Sequence, residues 1–250
     1  MTMPPLIALQ VSPAEMAERH KKVREKMEAA GHAAYVSFDP DNIYYLTNFA
    51  NFVHERPFVL VLTASDATFI VPRLEIPHVE RHKVGALTLA EYAEFPAPAG
   101  AQWSDRLANI LPAQGTIGIE AACPAYLQAA IGPRCQILNI VDDVRQIKSA
   151  HEISRIAWTS DVMTKALAMM MGKVKPGVMV AQAISDVTPY FYHRCLTEAP
   201  AYNVMSSKAA GLIQPPAYTD DPLNFPCLSS PCERYCPYTR LFVACINGYA

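Results

Sequence analysis

The first helix is marked by an apolar stripe between two clear end signals. Ser12 and Glu15 have the spacing of a capping box with Pro13 at the first helical position, and Gly31 ends the pattern. Between them, one face carries Met16, His20, Val23, Met27 and Ala30. The pattern predicts an amphipathic helix, and we interpret His20 as a residue at the boundary of its packed face rather than as a ligand.

Short apolar runs and helical stretches then alternate as far as residue 141. Residues 33–38 predict a buried strand followed by a turn at 39–42, and residues 58–63 and 68–71 predict two strands of a hairpin. The remaining predicted elements are a helix at 74–83, a strand at 87–92, a helix at 103–111, a strand at 116–120, a helix at 124–131 and a strand at 135–141. This order predicts an α/β fold, a mixed sheet with helices on its faces.

A change of pattern after residue 143 predicts a domain junction, with domains at 1–143 and 144–250. Residues 145–149 form a basic turn, and His151 opens a long helix that we expect to end near Pro176 and Gly177. Its predicted apolar stripe consists of Ile153, Ile156, Val162 and Ala166. A second helix is predicted from about Val178, and a plain helix hairpin with a basic cap is the alternative interpretation of this region.

Composition and charge exclude several classes of function. The chain has 250 residues, of which 51% are hydrophobic, and its 21 Lys and Arg against 23 Asp and Glu leave a net charge of −2. Without a basic excess, nucleic-acid binding is not expected. No basic leader and no apolar run of membrane-spanning length occurs, so we expect a cytoplasmic protein with no membrane partner. A glycine-rich phosphate loop is also lacking, which argues against a nucleotide site.

Several weak motifs in one order carry a family resemblance. Residues 145–153 have the pattern R-x-I-K-S-x-x-E-I, and K-P-G-V follows at 175–178. Residues 42–49, 117–120 and 141–143 (NIYYLTNF, IGIE and VDD) precede them. Together they resemble the creatinase/prolidase family of pita-bread hydrolases. The resemblance implies a creatinase-like amino-terminal domain followed by an incomplete α+β pita-bread domain.

The resemblance also implies substrate-binding residues in the loop at 51–57. In creatinase-like members a similar loop reaches into the active site of the partner subunit. Carried over to this sequence, Arg56 would hold an anionic substrate group, and Phe52 and His54 would lie beside it. These expectations imply a homodimer that acts on a small molecule or a peptide. The alternatives are a surface ion pair of Arg56 with Glu55 and a solvated His54.

The acidic residues needed for the family's metal chemistry are not found where the resemblance places them. Metal-dependent members hold a divalent metal pair with two aspartates on a hairpin, and later with a histidine and two glutamates. Between Pro222 and Ala250 the only acid is Glu233, whereas Asp220 and Asp221 are adjacent in a turn. We therefore expect no metal or other cofactor in this chain, assign no catalytic residue, and expect the chain to be inactive alone. A metal pair is implied only for complete metal-dependent homologues.

Four of the seven cysteines fall in the last segment, at Cys227, Cys232, Cys236 and Cys245. Our preferred explanation is a reading frame disturbed between about Cys227 and Thr239, so that residues 227–250 are altered and the chain is a truncated family member. A loose four-cysteine zinc site is the alternative.

The first functional hypothesis is a fragment of a hydrolase, creatinase-like or an Xaa-Pro aminopeptidase or dipeptidase, that cleaves a C–N bond of a small amide, guanidino or Xaa-Pro substrate. The second is a non-catalytic dimerising or substrate-binding module, and the third is a small-molecule binding protein with no catalytic history.

Overall fold

The computed structural model describes residues 10–50, 56–94, 96–173, 182, 185–187, 189–190, 201–205 and 227–232. They divide between two units, of which one is Gln10–Ile147 and the other contains the described residues from Lys148 onward. The functional division into domains 1–143 and 144–250 stays a prediction. Among the described residues, every helix is too short or too polar to cross a membrane.

A six-stranded mixed sheet forms the centre of the first unit. Its strands are β1 (His32–Ser37), β2 (Val59–Thr63), β3 (Ala67–Pro72), β4 (Thr88–Tyr92), β5 (Thr116–Ile119) and β6 (Cys135–Ile137). They are ordered β4-β3-β2-β1-β5-β6. Strand β2 is antiparallel to both of its neighbours, and the other adjacent pairs are parallel. The predicted mixed sheet, including the β2–β3 hairpin, is confirmed.

Helices pack on both faces of this sheet, as predicted. They are α1 (Pro13–Ala29), α2 (Pro40–Thr47), α3 (Ile76–His82), α4 (Trp103–Ile110), α5 (Ala125–Ile131) and α6 (Ile140–Gln146). Alternate residues of strands β1 to β4 belong to two separate hydrophobic clusters, because successive side chains of a strand point to opposite faces of the sheet. In β1, for example, Tyr35 packs with side chains of α1, α2 and α6, whereas Ala34 and Val36 pack with those of α4 and α5.

Helix α1 forms as its end signals and its stripe predict. The Ser12 hydroxyl accepts a hydrogen bond from the Glu15 N–H at 3.1 Å, and Pro13 begins the helix. His20 is buried, and its Nε2 lies 2.7 Å from the carbonyl oxygen of Leu46, so the ring must donate there. Burial lowers the pKa of His20. The interpretation of His20 as part of the packed face is confirmed.

Two helices occur where the sequence patterns indicate other structure. Residues 39–42 begin α2 rather than forming an isolated turn, because the Asp39 carboxylate caps the N–H groups of Asp41 and Asn42 and Pro40 stands at the first helical position. The predicted strand at 135–141 stops at Ile137. Residues 140–146 instead form α6, which buries Ile140, Val141 and Val144 at helical spacing and replaces part of the predicted basic turn.

The second unit contains the long helix α7 (Ala150–Lys173). A capping box explains its start, since Ser149 Oγ accepts from the Glu152 N–H at 3.1 Å and Glu152 Oε2 accepts from the Ser149 N–H at 2.8 Å. Val162 and Ala166 are buried as predicted, but Ile153 is 50% exposed, so the predicted stripe is wrong at its first position. The buried positions of that first turn are the polar residues His151 and Glu152.

Two strands of the second unit were not predicted from the sequence. They are β7 (Ala201–Met205) and β8 (Cys227–Cys232), which pair antiparallel. The predicted helix end at 174–177, the helix expected from Val178, and Cys236 and Cys245 lie outside the described residues.

Candidate functional site

Residues that directly follow or precede several strands lie together at one edge of the sheet. The carboxyl ends of the parallel strands lie at the same edge, which is the usual position of binding sites in such sheets. Because β2 runs in the opposite direction, its amino end also lies there, preceded by Arg56 and Pro57. The edge therefore combines residues that follow β1, β3, β4 and β5 with those that precede β2.

A buried carboxylate organises one part of this edge. Glu120, immediately after β5, is 3% exposed. Its Oε1 accepts hydrogen bonds from Ser37 Oγ at 2.5 Å and Asn42 Nδ2 at 2.9 Å. Its Oε2 accepts from the N–H groups of Phe38 at 2.9 Å and Asp39 at 2.7 Å. Burial raises the pKa of Glu120, and the four hydrogen bonds, which favour the carboxylate, oppose that effect.

Asn42 extends this network to α6. Its Nδ2 also donates to Asp142 Oδ1 at 3.2 Å, and its Oδ1 accepts from Arg145 Nη1 at 2.6 Å. The motifs at 42–49, 117–120 and 141–143 thus meet in space through Asn42, Glu120 and Asp142. The sequence shows them only as ordered landmarks, since nothing in their spacing reveals that they are in contact. Hydrogen bonds of their polar side chains thus link β1, α2, β5 and α6.

Arg56 is held between two carboxylates. Its Nη1 lies 2.7 Å from Glu94 Oε1 and its Nη2 lies 3.1 Å from Glu75 Oε1. The arginine side chain is 23% exposed. The hydrogen bond with Glu94, aided by the charges of both glutamates, raises the pKa of Arg56. Glu75 has a second partner in His78, whose Nδ1 is 2.7 Å from Glu75 Oε2.

Arg56 also lines an open cleft of about 1020 Å³, which we call the aromatic cleft and define by Arg56, Tyr92, Glu94, Trp103 and Tyr126. The rings of Trp103 and Tyr126 meet edge to face, with centroids 5.5 Å apart and planes at 71°. Tyr126 is 45% exposed, whereas Tyr92 is 4% exposed. Burial raises the pKa of Tyr92, so its hydroxyl is protonated at neutral pH.

Only one of the three predicted substrate-binding residues is described by the structure. Arg56 lies in the aromatic cleft, whereas Phe52 and His54 lie outside the described residues, as does Glu55. The predicted role of these three residues stays a prediction. In the described conformation Arg56 already binds two carboxylates, so a substrate anion would have to compete with them.

Sequence patterns did not indicate the other cleft residues. Glu94 follows β4, Trp103 begins α4 and Tyr126 lies in the first turn of α5, so three separate segments supply them. The only sequence feature that could have indicated these three residues is their position beside the end of a predicted helix or strand. Such boundaries are where binding residues concentrate.

The described residues contain no group of three histidine, cysteine, aspartate or glutamate side chains arranged to hold a metal ion. This part of the chain therefore offers no fit for the divalent metal pair of the metal-dependent relatives. The expectation that the chain carries no cofactor stays a prediction.

Solved structures share this fold at low sequence identity. The prolidase of Pyrococcus horikoshii OT3 aligns with a TM-score of 0.65 and 17% identity over 83% of this chain and 57% of its own. Dipeptidase PepE of Mycobacterium ulcerans gives 0.66 and 22% over 86% and 58%. The Xaa-Pro dipeptidase of Bacillus anthracis gives 0.65 and 16% over 84% and 58%. The chain thus spans less than two thirds of each of these proteins.

Sequence comparison gives a more specific result. The search of curated proteins gives no match. The family model of the Creatinase/Prolidase N-terminal domain, however, matches residues 19–148, which is more than half of the 250 positions. The match spans nearly all of the first unit, including the Glu120 network and the aromatic cleft. This chain therefore belongs to the creatinase/prolidase family through its N-terminal domain.

Proposed function

We propose that this chain is the amino-terminal domain, with the opening of the catalytic domain, of a hydrolase that cleaves a C–N bond in a small amide, guanidino or Xaa-Pro substrate. The observation that carries the proposal is the family match over residues 19–148. The fold shared with a prolidase and with an Xaa-Pro dipeptidase supports the peptidase branch. The complete enzyme is proposed to act in the cytoplasm as a homodimer.

The proposed role of the first unit is to bind substrate. Its polar and aromatic side chains gather at the carboxyl edge of the sheet, where Glu120 fixes the backbone after β1 and Arg56 lies in an accessible cleft. These groups can hold a ligand by charge and by ring contact. Bond cleavage is assigned to residues of the catalytic domain, and none of the described residues is proposed to perform it.

The direct test compares two proteins expressed from the same gene. One is the 250-residue chain and the other is the product of the longest reading frame that contains it. Both are assayed for release of proline from alanyl-proline, of urea from creatine and of an amine from a simple aryl amide, with and without added Mn²⁺. We expect the longer product to hydrolyse at least one substrate and the 250-residue chain to hydrolyse none.

The result is interpretable only for folded protein, so circular dichroism of both products accompanies the assay. A folded longer product that hydrolyses none of the three substrates contradicts the proposal. Dependence of turnover on Mn²⁺ assigns the protein to the metal-dependent branch, whereas turnover after chelation assigns it to the metal-free branch.

The second candidate is a non-catalytic dimerising or substrate-binding module. The aromatic cleft favours it, because the cleft is formed entirely by residues of the first unit. Sedimentation equilibrium separates the two candidates when combined with the assays above. A dimer that binds ligand without turnover in either product supports the module, and hydrolysis by the longer product excludes it.

A further inference from the structure

The ion-pair cluster that includes two residues of the aromatic cleft, Arg56 and Glu94, has an excess of negative charge. Arg56 contributes one positive charge, and Glu75 and Glu94 contribute two negative charges, so the three contacting groups sum to −1. His78 beside Glu75 carries charge only when it is protonated. The guanidinium is therefore more than neutralised within the fold. An anionic ligand would meet net repulsion here, whereas a cation would meet net attraction.

Two polar atoms of the cleft have no hydrogen-bond partner among the described residues. The hydroxyl of Tyr92 is buried and makes no hydrogen bond, although burial without a partner is unfavourable. Glu94 uses Oε1 for Arg56, and its Oε2 accepts no hydrogen bond from the described residues. Both oxygens can accept N–H donors. The Glu94 side chain is 30% exposed, so its Oε2 is the oxygen that a ligand donor can reach, whereas the Tyr92 hydroxyl is enclosed.

The ring surfaces favour the same class of ligand. Trp103 and Tyr126 stand edge to face, so their planes form two walls of the cleft at 71°. Indole and phenol faces attract cations, and they also stack on aromatic groups. The remaining lining includes Pro57, Pro96 and Ala97, which add apolar surface for a hydrocarbon body.

From these observations we propose that the aromatic cleft binds a small organic cation, with a protonated primary amine as its head group and an apolar or aromatic body. The ammonium donates to Glu94 Oε2, and the body packs on Trp103 and Tyr126. This site goes beyond the proposed hydrolase function, and it does not depend on catalysis. It also assigns Arg56 a new role, namely to orient Glu94.

The test uses three phenylalkyl probes of similar size that differ in charge. They are phenethylammonium, the neutral 2-phenylethanol and the anionic 3-phenylpropanoate, each titrated into the full 250-residue chain at pH 8. The readout is the indole N–H signal of Trp103 in the ¹⁵N-labelled protein. The chain has two tryptophans, so the Trp158 signal in α7 serves as an internal control. We expect the cation to shift the Trp103 signal and to bind roughly tenfold more tightly than the alcohol.

Substitutions distinguish the site from general attraction to the surface. Glu94→Gln should weaken binding of the cation roughly tenfold. The matched control is Glu91→Gln, since Glu91 lies on β4 three positions before Glu94 but pairs with Arg73 outside the cleft. This control should leave the affinity unchanged. A thermal melt of each variant confirms that the protein is folded.

Three outcomes overturn the proposal. The first is equal binding of the cation and the alcohol, and the second is an equal loss in Glu94→Gln and Glu91→Gln. The third is tighter binding of 3-phenylpropanoate that is abolished by Arg56→Ala, which would support the predicted anion-binding role of Arg56 instead. Hydrolytic activity does not enter any of these comparisons, so failure here leaves the proposed function untouched.

Discussion

Replacement of Glu120 by alanine should cost about 4 kcal/mol of unfolding free energy. The carboxylate accepts four hydrogen bonds, from Ser37, Phe38, Asp39 and Asn42, at 2.5 to 2.9 Å. A hydrogen bond contributes about 1 kcal/mol net of desolvation, so four of them contribute about 4 kcal/mol. For a protein of this size that loss lowers the melting temperature by about 12 °C.

Two further variants make the estimate testable. Glu120→Gln keeps one acceptor oxygen and should lose about half as much stability, which leaves a measurable fold if the alanine variant unfolds. Asp142→Ala is the matched control, because that exposed carboxylate makes a single hydrogen bond of 3.2 Å to the same asparagine. It should cost about 0.5 kcal/mol.

Urea unfolding followed by tryptophan fluorescence measures these differences. A Trp158→Phe background restricts the signal to Trp103 in the first unit, which avoids mixing transitions of two units. The slope against urea must stay constant for the comparison to hold. If Glu120→Ala costs no more than Asp142→Ala, the buried carboxylate does not hold these elements together and the reasoning fails.

Three more predictions follow from single side chains. Tyr92→Phe removes a buried hydroxyl without a partner, so the urea midpoint should stay unchanged or rise by an amount equivalent to about 1 kcal/mol, and a lower midpoint would contradict this reasoning. The pKa of His20 is lowered by burial, so the folded state binds fewer protons than the unfolded state and stability should fall as the pH drops below about 6.5. Stability measured between pH 5 and 7 should depend less on pH in His20→Gln, and an unchanged slope would refute this. Gly115→Ala should cost about 2 kcal/mol by thermal melting, since φ is 94° and the new Cβ would lie 2.7 Å from the Cβ of Ala33, whereas Gly132→Ala at φ 76° meets nothing within 4 Å and should cost less.

Hydrophobic spacing was sufficient to predict most of the sheet and its flanking helices. It failed where capping and burial compete with a short apolar pattern. Asp39 and Pro40 are a helix start as well as a turn signal, and only the buried residues after Asn42 decide between them. At Ile140 and Val141 a strand-like pair belongs to a helix, because Val144 completes a helical stripe against the core.

The candidate site was harder to predict, because its contacts join residues far apart in the chain. Glu120 binds Ser37 across 83 positions, and Arg56 binds Glu94 across 38. Neither pairing leaves a local pattern. The resemblance singled out Arg56, but it could not reveal that two glutamates of this same domain neutralise the guanidinium.

Because β2 runs antiparallel to its neighbours, the hairpin turn that fixes strand register and the residues that line the ligand edge lie at opposite edges of the sheet. The hairpin of β2 with β3 closes at the edge opposite the aromatic cleft, whereas the segment that enters it arrives beside the ends of β1 and β3. Substitutions of Arg56 or Pro57 thus alter the ligand edge without shifting the register of the hairpin. Proteins that share this scaffold can therefore diverge in ligand preference through these two positions.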